Sequence, residues 1–160
     1  MGRPEFLYRG TPRRDVDQFV PKELVKVSGE NKLVVSATPD KVAATKFIVP
    51  VEGLRVTMGV LDGIHYYFCA DETRFRELDR GGVVYTLLSE GFMPSDRQGV
   101  WANPNPVSPI SKEEFVSGLS AMVASGVKVH FVPAGVLEKL GLLGEGQAKV
   151  LRELLFPNVK

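Results

Sequence analysis

Asp62 and Gly63 constrain the fold of this 160-residue chain more than any other pair. They separate two β-rich runs, LRVTMGVL and IHYYFCA. A two-residue Asp-Gly connection is the sequence form of a type I′ turn, whose central residues both take positive φ. The spacing therefore predicts an antiparallel hairpin over residues 54–70. Within it, HYYF reads as a half-buried sheet face, because no basic residues interleave with the rings as a base-stacking platform would need.

Other segments are read around this hairpin. FLYRG, closed by Gly10, Thr11 and Pro12, predicts a strand running into a loop. Residues 13–32 lack a strong period and predict a long loop with a helical turn, a kind of segment that often carries function. LVVSAT predicts a buried strand. With Pro39 near the first helical position and Asp40 in the first turn, Val42, Ala43, Lys46 and Phe47 then fall at helical spacing.

ADETRFRELDRGG predicts a helical turn ending at Gly81, followed by the strand VVYTLL. RQGVWANPNPVSP predicts a short strand entering a proline-punctuated loop. Ser111 and Glu114 have capping-box spacing, with Phe115, Leu119, Met122 and Val123 as the apolar stripe of a helix closed by Gly126. VKVHFV predicts a strand, and GVLEKL and GQAKVLRELLF predict closing helices. No repeat or second boundary appears, so residues 1–160 read as one α+β domain with a mostly antiparallel sheet, flanking helices and a helical C-terminal tail.

Several functions are disfavoured. With 20 basic against 19 acidic residues, the chain has no large electrostatic footprint for a nucleic-acid backbone or an anionic membrane. Cys69 is alone, which excludes a disulfide framework and a thiolate zinc cluster and predicts a buried, inert thiol. His65 and His130 sit in strand patterns with no acidic or second histidine partner in view, so no metal site is expected. The first ten residues have no apolar signal core and no run approaches about 18 apolar residues, so a cytoplasmic, non-membrane protein is expected. There is no G-x-S-x-G, P-loop or dinucleotide fingerprint.

The pair LYRGT and VSATPDKVAATKF, followed by VVYTLLSEGF and VWANPNPVSP, resembles the signature segments of the ADP-ribosyltransferase-like fold. The order is similar to that in a group of small bacterial and phage proteins with LYHGS-type and FATPD-type segments. The resemblance covers residues 6 to about 132 and implies a split, mostly antiparallel sheet. It also implies NAD as cofactor and a macromolecular acceptor of ADP-ribose, protein or nucleic acid. On it, Arg9 would bind the adenosine ribose or phosphate side, and the Gly10 backbone would pair with the nicotinamide carboxamide. Ser36 and Thr38 would orient the ribose, with Tyr8, Thr11 and Phe47 completing the cofactor-contacting set.

Such an assignment is physically sensible, since a guanidinium offers fixed donors and glycine admits a ligand to the main chain. The family's third signature is a glutamate on a later strand that stabilises positive charge in the transition state. This chain has Val100 just before Trp101 there, and the stand-ins are Glu90 and Gln98, with Asp96 the carboxylate closest to the expected position. Two alternatives stay open: an RNA 2′-phosphotransferase-like enzyme, which relies on basic residues more than on the glutamate, and a non-catalytic nucleotide- or partner-binding module.

Overall fold

The computed structural model of the chain describes residues 3–142. Its strands are β1 (Phe6–Thr11), β2 (Glu23–Val27), β3 (Glu30–Ala37), β4 (Val56–Leu61), β5 (Ile64–Cys69), β6 (Gly82–Leu88), β7 (Met93–Pro94), β8 (Trp101–Asn103), β9 (Ser111–Phe115) and β10 (Lys128–Phe131). Its helices are α1 (Lys41–Thr45), α2 (Glu72–Leu78), α3 (Gly118–Ala124) and α4 (Ala134–Leu142). The architecture is α+β. Three small sheets, in the orders β1-β6-β9, β2-β3-β8-β7 and β10-β5-β4, are antiparallel apart from the parallel β10–β5 pair. No helix among the described residues is long and apolar enough to cross a membrane. The segment GQAKVLRELLF, expected to be helical, lies outside the described residues.

The Asp62–Gly63 hairpin forms as expected, with φ of 52° and 79° and register Leu61↔Ile64. Its second strand is buried on both faces rather than half-buried. Tyr67 and Cys69 enter one cluster with Val49, Phe75 and Met122, while Tyr66 and Phe68 enter another with Leu137 of α4. The two-residue strand period delivers alternate side chains to two cores, because a helix covers each face. Burial holds the Cys69 thiol above its ordinary pKa, the character of an unreactive structural cysteine.

Two expectations are corrected. Residues 23–32 do not form a loop with a helical turn: they build the β2–β3 hairpin around Ser28 and Gly29, whose φ values of 52° and 81° repeat the primed-turn geometry. Ser111–Phe115 is not the first turn of a helix. It is edge strand β9, paired from Ser111↔Thr86 to Phe115↔Gly82, and the following helix starts only at Gly118 with Ser117 as its N-cap. Pairing along the otherwise open edge of β6 outweighs the capping-box spacing. Gly126 does close the helix, with φ 95°.

Asp79 is the main polar anchor behind the core. Its carboxylate accepts from Gly118 N (2.6 Å), Leu119 N (3.0 Å), Ser117 Oγ (3.0 Å) and Gly81 N (3.1 Å), tying the end of α2 to the start of α3. Burial opposes its charge, yet these hydrogen bonds together hold its pKa below the usual carboxylate value. A depressed native pKa gives stability that is present above the unfolded-state value, near 4, and lost as pH falls through the native value. Asp79→Ala is expected to cost about 2 kcal/mol by orphaning these donors. Urea denaturation at pH 7 and pH 3 checks this, with the gap between wild type and variant narrowing at the lower pH.

Helix α1 begins at Lys41, two residues later than expected, with Asp40 as its N-cap rather than in its first turn: Oδ1 accepts from Val42 N (2.9 Å) and Ala43 N (3.4 Å). Asp40 Oδ2 also lies 2.8 Å from His65 Nε2, so the acidic partner that the local sequence did not reveal comes from a distant turn. Just past the helix, the buried Lys46 donates from Nζ to Gly59 O (2.8 Å), clamping α1 onto β4. Desolvation lowers the Lys46 pKa to about 8, against a smaller opposing pull from Asp40.

The unfolded lysine keeps its proton up to 10.5, so between the two values the unfolded state binds more protons and stability rises with pH. From pH 8 to 9.5 the expected gain attributable to Lys46 is about 1.5 kcal/mol. Comparing the pH dependence of urea midpoints in wild type and Lys46→Met checks it. The variant should lack that rise.

Candidate functional site

The candidate site forms where β1 and β3 part company. β1 pairs with β6 and β3 with β2 and β8, and the two strands share one bridge, Tyr8–Thr38, with N–H to O distances of 2.7 and 2.9 Å. Beyond it Arg9 spans the gap. Its Nη1 donates to Ser36 O (2.9 Å), Ser36 Oγ (3.0 Å) and Glu23 Oε1 (2.9 Å), and Ser36 Oγ donates to Glu23 Oε2 (2.8 Å). The result is a closed Arg9–Glu23–Ser36 network at the mouth of a cleft with a cavity volume of about 180 Å³.

Six residues placed there from the sequence do line this cleft: Tyr8, Arg9, Gly10, Ser36, Thr38 and Phe47. Thr11 does not. It is buried, accepts from Arg13 N through Oγ1 (3.2 Å), and faces an adjoining groove. Glu90 and Gln98 are exposed and lie outside the lining of the cleft. Asp96, the carboxylate nearest the expected third signature, is otherwise engaged: it accepts from Ser28 N (2.9 Å) and Gly29 N (2.8 Å) and clamps the β2–β3 turn.

The carboxylate that does join the cleft is Glu23, which sequence reasoning missed. Its register partner is Val34, two residues from Ser36, so Glu23 and Ser36 project from the same face of the β2–β3 hairpin. The Ser28–Gly29 turn was the one local sign of it, since the mostly exposed flanks carry little alternation. Arg97 was missed as well. It stands on the segment between β7 and β8 that Asp96 fastens to the hairpin, and its guanidinium has no protein partner among the described residues.

Gly10 is placed by packing. A Cβ there would lie 1.8 Å from Ala44 O, so the bare backbone lets α1 seat directly on β1. That seating brings Ala44 and Phe47 into the lining of the cleft, which Val25 and Val100 share. The site thus offers an apolar, partly aromatic slot with a hydrogen-bonded carboxylate and two guanidinium groups on its walls.

Arg9 is incompletely used by the protein. All three of its side-chain hydrogen bonds leave from Nη1, and its buried Nε has no partner. The guanidinium also lies over the Phe19 ring, 5.2 Å from its centroid. A desolvated donor left unpaired is costly, and such a group is where an acceptor from a ligand would act.

Comparison of the chain with models of protein families, with curated proteins and with solved structures finds no match.

Proposed function

We propose that this cleft binds NAD or a related nucleotide and supports transfer of ADP-ribose to a macromolecular acceptor. The single observation that carries the reading is the meeting of Arg9, Ser36, Thr38 and a carboxylate in one aromatic-walled cleft. In it Glu23 takes the part of the carboxylate that the resemblance places on a later strand.

Each group has a physical task. The slot between Phe47 and the apolar wall suits a flat heterocycle, and its volume takes one ring-sized portion while the remainder lies outside. Loss of nicotinamide leaves positive charge on the ribose, and a carboxylate fixed beside it stabilises that charge as it develops. Ser36 and Arg9 hold the Glu23 carboxylate in place by a hydrogen bond and an ion pair. Release of nicotinamide from NAD, followed by chromatography, tests the reaction. Release by the wild type and its loss in Glu23→Gln support transfer. NAD binding without release assigns the cleft to a non-catalytic nucleotide-binding module.

A further inference from the structure

We infer that the groove adjoining the cleft is a phosphate-binding subsite, in which Arg13 and Lys22 hold the pyrophosphate of the nucleotide whose ring occupies the cleft. The groove has a cavity volume of about 150 Å³, and its lining includes Thr11, Arg13, Gln18 and Lys22 above a floor of Phe19 and Val35. Arg9 and Glu23 belong to the walls of both cavities, so the two spaces meet at one ion pair.

Charge points to the ligand class. Three cations, Arg9, Arg13 and Lys22, face a single carboxylate, Glu23, in the groove. Glu23 is bonded to Arg9, whereas neither Arg13 nor Lys22 has an anionic partner among the described residues. Two unpaired cations converging on a concave polar surface favour an anion with several acceptor oxygens.

Arg9 supplies a second, independent sign. Its bonds to Ser36 and Glu23 use Nη1 alone, leaving Nε buried and unpartnered and Nη2 without a protein acceptor. Nε and Nη2 form one edge of the guanidinium, the geometry that binds a phosphate through two parallel hydrogen bonds. A phosphate at that edge would engage Nη2, and Nε once a small shift of the side chain uncovers it, while Ser36 keeps its bonds to Nη1. It also draws positive charge away from Glu23, raising the carboxylate's capacity to stabilise charge in the neighbouring cleft.

The ligand's identity as a nucleotide pyrophosphate rests on the function proposed above; the anion site itself rests on the groove. Isothermal calorimetry on the full chain separates the two, using inorganic pyrophosphate, NAD and nicotinamide riboside as probes and an Arg13→Ala/Lys22→Ala variant. Both positions are exposed, and thermal unfolding checks that the variant is folded.

The expected result is saturable pyrophosphate and NAD binding by the wild type, each weakened about tenfold or more in the variant and each weaker at high salt. Binding of nicotinamide riboside, which has no phosphate, should be the same in both proteins. Pyrophosphate binding that depends on Arg13 and Lys22, with no NAD binding, keeps the anion site but assigns it to free phosphate or another phosphorylated ligand and removes the nucleotide pyrophosphate. NAD binding of equal affinity in both proteins overturns the subsite and leaves the cleft reading intact. Absence of pyrophosphate and NAD binding by the wild type overturns both.

Discussion

Gly10→Ala is expected to destabilise the protein by about 3 kcal/mol or more and to remove ligand binding with it. The new Cβ would lie 1.8 Å from Ala44 O and 2.9 Å from Ala44 C, both backbone atoms of α1. No rotamer change relieves such a clash, so the helix must move off β1. Ala44, Ile48 and Val84 form one buried cluster beneath it, and displacement of α1 opens that cluster as well. Urea denaturation of wild type and variant measures the effect. A loss below about 1 kcal/mol would show that α1 is not seated on Gly10. The proposed nucleotide site would favour glycine here for access of a ligand to the main chain; helix packing supplies a reason that holds without any ligand.

Glu23→Gln is expected to reduce nicotinamide release from NAD by about 10²–10³-fold while changing NAD affinity little. Glutamine keeps the shape, its Oε1 can still accept from Arg9 and its amide can donate to Ser36 Oγ in place of accepting from it, but it removes the negative charge that a cationic sugar centre requires. Ground-state binding therefore survives and transition-state stabilisation does not. Glu23→Ala differs. It also frees Arg9 Nη1 and Ser36 Oγ from a shared partner, so both affinity and turnover should fall. Initial rates at saturating NAD distinguish the cases, and a Glu23→Gln enzyme with wild-type turnover would take the carboxylate role away from this residue.

Much of the fold was legible where turn chemistry and apolar runs agree. Asp62–Gly63 announced its hairpin, and the strands at FLYRG, LVVSAT and VVYTLL lie where their composition puts them. Ser28–Gly29 makes a turn of the same kind but was hidden by charged, weakly apolar flanks: β2 and the first half of β3 are mostly exposed, so burial did not write a strong alternation into them. Ser111–Phe115 misled for the opposite reason. Its capping-box spacing is a local signal, and pairing with β6, nearly 30 residues earlier in the chain, is a tertiary one.

The site divides along the same line. Tyr8, Arg9 and Gly10 lie within β1, and Ser36 and Thr38 at the end of β3, in segments whose sequence marks them, and the Tyr8–Thr38 bridge brings the two together. Glu23 enters only through the register Glu23↔Val34, and Arg97 only through the grip of Asp96 on a hairpin turn. Neither relation is visible until the strands are paired.

Calorimetric titration with NAD up to millimolar concentration, on wild type and Arg9→Ala, tests the nucleotide-binding cleft most directly. Saturable heat with the wild type, weakened at least tenfold in Arg9→Ala, is the result expected from a guanidinium that places charge and free donors at the junction of cleft and groove. No heat and no thermal shift with the wild type, or equal affinity in the two proteins, would contradict it.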